Sequence, residues 1–141
     1  MLLANLAATF VMVGIIWFVQ IVHYPLFSRV GTAGFPAYAG SHSHLTGLVV
    51  GPPMLIEAAT TLALFLGPPA GVPVWLAAAG LALLAVIWLS TALLQAPRHR
   101  ELGAGFDDAS HRFLVASNWL RTACWSARGL VVLWMAAKAA G

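Results

Sequence analysis

Charge is what this sequence has little of. Of 141 residues, 8% are charged and only four are acidic, where soluble domains carry roughly 25% charged residues. A chain of this length that is 61% hydrophobic cannot hide its apolar surface in an interior of its own, because small folds leave much of their area outside. Lipid is the expected solvent. The seven Lys and Arg residues are scattered and form no basic stripe, which excludes a nucleic-acid surface. A single cysteine, Cys124, excludes an internal disulfide, and inside an apolar run it reads as a packing residue. Residues 2–22 lack a basic leading region and run longer than the apolar stretch of a secretory signal, so they read as a helix of the mature protein.

What is present is apolar length. Four segments each supply the roughly 20 residues that a bilayer crossing needs. They predict an all-α four-helix transmembrane bundle, one domain spanning residues 1–141, with helices over 2–23, 45–66, 73–96 and 111–138 and two long connectors on one side. The first segment stops at Gln20, His23, Tyr24 and Pro25, a polar change followed by a helix breaker. Residues 24–44, rich in Gly, Ser and Pro, read as a loop with one short interfacial turn around Phe35 to Tyr38. Pro52-Pro53 should kink or break the second helix near Gly51. The connector PRHRELGAGFDDASH carries most of the charge, and Asp108 or Ser110 is the expected N-cap of the fourth helix. Arg29, Arg98, Arg100 and Arg112 fall on the connector side and only Lys138 on the other. Positive residues stay on the cytoplasmic side, so the expectation is an inner (plasma) membrane protein with that face in the cytoplasm and both termini outside.

All five histidines, His23, His42, His44, His99 and His111, lie at or beside segment ends on that same side. Neutral imidazole suits zinc, copper and iron, and three or four such ligands with an open position make a catalytic metal site. Haem is the competing cofactor, with His23 and either His99 or His111 as axial ligands. Asp107 and Asp108 would add oxygen ligands or cap the fourth helix. His42 and His44, two apart, share a face only in extended chain; in a helix one points away.

Ionisable groups within a bilayer cost about 2.5–3.5 kcal/mol each, so they face the bundle interior and mark sites. Counted from the segment starts, Glu57 and Arg121 reach a similar depth and can pair, while Arg128, about two turns deeper, either pairs with Glu57 instead or snorkels toward the outer interface. An ion pair of Glu57 with these arginines that simply holds the bundle together is the structural alternative to a site. Asn118, Arg121, Trp125 and Arg128 share one helical face. In this reading Arg121 and Asn118 hold an oxyanion, Glu57 fixes Arg121, a histidine serves as general base, and Trp119 or Trp125 stacks on an aromatic substrate.

The stretch HRFLVASNWLRTACWSARGL, through Asn118, Trp119, Arg121 and Thr122, resembles the C-terminal helix of the anthrone-oxygenase-like family of small four-helix membrane proteins. HYPLF at His23 to Phe27, where a first helix gives way to a connector, is also similar. The resemblance implies oxidation of a polyketide-type anthrone by dioxygen at the bundle mouth. The expected function is therefore a membrane oxidoreductase or oxygenase acting on a small aromatic or apolar substrate. Two other classes fit the residues: a non-enzymatic subunit of a larger membrane complex, and a small proton or metal-ion carrier in which Pro52-Pro53 marks a broken helix and Glu57 relays protons. Gly14 and the Ala-rich third helix would permit a homo-oligomer in either case.

Overall fold

In the computed structural model, which describes residues 1–141, the chain is helical almost throughout and has no strand. The elements are α1 (Leu2–Phe18), α2 (Tyr24–Leu26), α3 (Phe35–Leu66), α4 (Val74–Ser90), α5 (Ala96–Ala104) and α6 (Asp108–Ala140). They line up into four columns, because α1 runs into α2 and α4 into α5 without a break. Three columns, Leu2–Arg29, Phe35–Leu66 and Val74–Ala104, are long and apolar enough to cross a membrane, with mean hydropathies of 2.2, 1.6 and 2.2. The fourth, α6, carries Arg112, Arg121 and Arg128. Helix α1 packs on α3 and α6, and α4 packs on the same two, which closes a four-membered ring with α1 opposite α4 and α3 opposite α6.

The columns are longer than the sequence predicts, and proline accounts for the difference. Pro25, Pro97 and Pro52-Pro53 were expected to end or break helices. Instead α3 passes through both of its prolines, and the other two follow π-helical turns, Val19–His23 and Thr91–Gln95, that keep the column going. A proline deprives a carbonyl one turn back of its donor. Where no water can replace that donor, neighbouring π or 3-10 adjustments reorganise the ladder instead of ending it. The expected connectors are therefore mostly helix: the first shrinks to Val30–Gly34 and the second to Gly105–Asp107. The turn expected at Phe35 to Tyr38 is the start of α3. The N-cap of α6 is neither Asp108 nor Ser110 but Asp107, whose Oδ2 accepts the Ser110 N–H at 2.6 Å. That bond holds the Asp107 carboxyl below its ordinary range.

The interior alternates apolar and polar layers. One apolar cluster gathers Val19, Tyr24, Phe27, Phe35, Ala39, Leu102 and Leu114 at the connector end. A second holds Met12, Ile16, Met54, Ile87, Cys124 and Trp125 at mid-depth, and a third holds Leu64, Val72, Leu76, Ala77 and Met135 at the far end. The outer surface is apolar too, with Leu3, Leu48, Leu55, Leu93 and Leu130 all exposed, as lipid-facing side chains are.

Between the second and third clusters lies a brace that ties all four columns. Glu57 and Arg128 are both buried, and Arg128 Nε donates to Glu57 Oε1 at 2.5 Å. Thr9 Oγ1 donates to the same carboxylate oxygen at 2.6 Å. Arg128 also donates to the Gly80 carbonyl and to Thr61 Oγ1, and Asn5 Nδ2 reaches Thr61 Oγ1 at 2.9 Å and Thr60 Oγ1 at 2.8 Å. A Cβ at Gly80 would stand 3.3 Å from the Arg128 guanidinium, a tight contact that glycine relieves. Glu57 thus pairs with Arg128 and not with Arg121.

Removing one partner of a buried ion pair strands the other charge, at about 3–5 kcal/mol. Arg128→Leu should lower the unfolding temperature of the detergent-solubilised protein by that equivalent, and Glu57→Gln combined with Arg128→Met should recover much of the loss. A single Arg128→Leu chain as stable as wild type would contradict the brace.

Candidate functional site

The two π-helical turns aim the polar residues of the next layer inward. Gln20, buried on the first, donates from Nε2 to the Val115 carbonyl at 3.2 Å, and its Oε1 accepts from Asn118 Nδ2 at 2.9 Å and Thr122 Oγ1 at 3.3 Å. These bonds settle the orientation of the Asn118 amide. Asn118 Oδ1 then accepts from Arg121 Nη1 at 3.1 Å. Gln95, at the end of the second π turn, accepts from Ser90 at 3.0 Å and donates to Ser117 at 3.2 Å. Gln20, Asn118, Thr122 and Gln95 are all 2% exposed or less, and each has its side-chain hydrogen bonds within the layer.

Arg121 is the exception in this layer. It is 9% exposed, its Nε has no partner, and the chain's two salt bridges belong to Arg98 with Glu101 and Arg128 with Glu57. The guanidinium lies beside the Tyr24 hydroxyl and lines a pocket of about 490 Å³. Tyr24, His42, Gln95 and His99 share that pocket. Its mouth runs between α3 and α5 past Gly40, Ser43, Gly47, Ala96, Arg100 and Gly103. A Cβ added at Gly40, Gly47 or Gly103 would meet nothing within 4 Å; the small residues on both helices keep the cleft open.

Three of the five histidines converge here, from three elements. His23 Nε2 and His42 Nδ1 are 2.8 Å apart, Thr46 Oγ1 is 3.1 Å from the same His42 nitrogen, and His99 Nε2 is 2.8 Å from the Tyr24 hydroxyl. The His42 and His99 rings stack at 5.5 Å. Phe27, 1% exposed, packs its ring against His23, His42, His99 and His111. His111 stands apart from the pocket, with its Nε2 2.8 Å from the Tyr24 carbonyl. His44 is exposed: α3 has already begun, so two residues of helix separate its direction from that of His42.

The expected five-histidine metal set is not assembled. No group of three His, Cys, Asp or Glu side chains is arranged to hold a metal ion. Two nitrogens 2.8 Å apart share a proton, whereas two nitrogens on one zinc ion, each at about 2.0–2.1 Å, sit farther apart around the metal. The Nε2 atoms of His23, His99 and His111 are turned to His42, to the Tyr24 hydroxyl and to the Tyr24 carbonyl.

Asp107 is spent on its cap, and neither aspartate reaches the pocket lining. Trp119 is exposed and packs edge-on against Trp17 at 5.8 Å, while Trp125 is buried in the mid-depth cluster, so neither lines the pocket. Glu57 lies two turns deeper with Arg128, outside the pocket. Sequence reasoning passed over Tyr24, which touches His99, His111 and Arg121; its place in HYPLF, one residue before a proline on an inward-turning helix, was the available signal.

No known protein family, no curated protein and no solved structure matches this chain.

As arranged, the imidazole nitrogens turn to one another and to Tyr24 and not to one shared point. Elemental analysis of protein purified in detergent should give zinc, copper and iron each well below one per chain. A stoichiometric metal that disappears in His42→Ala would contradict the assignment.

Proposed function

We propose that this chain is an integral membrane protein whose pocket takes an apolar carbonyl or enol compound from the bilayer, stabilises its anion on Arg121, and promotes its oxidation by dioxygen. The observation that carries the reading is Arg121 itself. A buried cation without a counter-charge is costly, and here it faces a cavity large enough for an aromatic ligand of several rings. A negative oxygen in that cavity would supply the missing charge to the guanidinium that lines it.

The reaction class follows from what stands around it. His42 Nε2 and His99 Nδ1 are the imidazole nitrogens at the pocket without a protein partner. Either can accept a proton from a carbon next to a carbonyl while Arg121 and the Tyr24 hydroxyl hold the enolate oxygen. Loss of that proton makes the carbon electron-rich enough to react with dioxygen, and the balanced conversion is R₂CH₂ + O₂ → R₂C=O + H₂O. This is the anthrone-to-quinone chemistry implied by the resemblance of α6 to anthrone-oxygenase-like proteins, run on residues of this chain alone.

The cytoplasmic leaflet is the proposed location of the pocket, since Arg29, Arg98, Arg100 and Arg112 gather at that end. Carrier function through Glu57 draws no support. The cavity beside Arg128 measures about 10 Å³, at the lower limit for one water, so the brace has no wet path across it.

In nanodiscs, the protein should accelerate anthrone oxidation, followed as anthraquinone absorbance with matching oxygen uptake, over protein-free discs. Arg121→Gln should remove the acceleration. Gly47→Leu, which adds bulk at the mouth in open space, should remove it as well while leaving the unfolding temperature unchanged or higher. Undiminished turnover in Arg121→Gln would refute the reading.

A further inference from the structure

A second cavity, of about 280 Å³, opens on the other flank of α3, between α3 and α1. Its walls are Ile15, Phe18, Val19, Leu45, Val49 and Val50 together with His23 and Thr46. Thr46 and Val50 also line the first pocket, so the two cavities meet along a wall of two short side chains. The chemistry of the second is one-sided. It has two polar side chains, and both are already engaged: His23 Nε2 and Thr46 Oγ1 each turn to His42 Nδ1. Toward an occupant the cleft is hydrocarbon, whereas the first pocket presents Arg121, Tyr24, His42 and His99.

We infer that the ligand is an amphiphile with two parts: an enol or phenol head over Arg121, and a single apolar tail that crosses at Thr46 and Val50 into the cleft between α1 and α3. The inference rests on the reading of Arg121 as an anion site and extends it to the class of ligand. An apolar cleft that shares Thr46 and Val50 with an anion pocket suits a chain attached to the head, and His23 couples the two, because the imidazole that borders the tail cleft is the one bonded to His42 at the head. The exposed faces of Leu45 and Val49 would let such a tail enter sideways from lipid.

The test uses two coloured enol acids, 2-hydroxy-1,4-naphthoquinone and its 3-undecyl homologue, with binding read by quenching of tryptophan fluorescence in nanodiscs, on wild type and on Val49→Trp. Val49 is exposed and borders only the second cleft, so the bulkier ring fills it without touching the head pocket; Leu45→Trp serves as a second variant on the same wall. The expected result is that both substitutions weaken the undecyl compound at least tenfold and leave the unsubstituted one within twofold of wild type. Equal effects on the two compounds, or none on either, would overturn the tail site and leave the cleft to ordinary bilayer lipid. Failure of wild type to bind the unsubstituted acid would instead refute the anion site, and the tail assignment with it.

Discussion

The interior of this bundle holds two guanidinium groups and one carboxylate. That imbalance governs the rest of the structure. Arg121 and Arg128 stand seven residues apart on one face of α6, both among the buried residues. Glu57 is the carboxylate within reach, and it goes to Arg128. Arg128 also takes Thr61 and the Gly80 carbonyl, so its charge is neutralised and its donors are used. Arg121 receives one amide oxygen, from an Asn118 held in place by Gln20, has the Tyr24 hydroxyl beside it, meets no carboxylate, and lines an open pocket. In a medium that replaces no lost hydrogen bond, the first arrangement holds helices together, and the second is the one we propose an anionic ligand completes.

The helices are built so that this difference persists. The brace draws on α1, α3, α4 and α6 at once, which fixes the register of the columns against one another. Above it the prolines do constructive work. Pro25 and Pro97 each follow a π-helical turn, and those turns rotate Gln20, His23 and Gln95 toward the centre, where π turns recur at functional sites. The glycines of α3 and α5 then hold the two walls of the mouth apart. Rigid floor, aromatic packing around Phe27 and a small-residue opening together make a site whose polar groups are oriented before anything binds.

Much of this was written in the chain, and the misreadings have one source. Apolar run length located the columns, and the scarcity of charge marked Glu57, Arg121 and Arg128 as interior groups. The sequence leaves Glu57 between Arg121 and Arg128, because helix starts placed at prolines and glycines put the carboxylate too shallow. With α3 starting at Phe35 and α6 at Asp108, Glu57 lies 22 residues in, Arg128 20 and Arg121 13. At about 1.5 Å per residue the carboxylate is level with Arg128. The same shift explains the histidines: His42 and His44 were counted as loop and are helix, so one faces in and the other out. The tertiary bonds that engage His23, His99 and His111 through Tyr24 and His42 have no signature in residue spacing.

The claim that Arg121 is an uncompensated buried charge is tested most directly by removing that charge in the ligand-free protein. Thermal unfolding of Arg121→Met in the same detergent should show a midpoint equal to or above wild type, because a buried cation with no counter-charge is replaced by an apolar side chain of similar length. A midpoint lowered as far as that of an Arg128 substitution would mean that Arg121 is as fully paired as its neighbour, and the pocket would have no vacancy for an anion to fill.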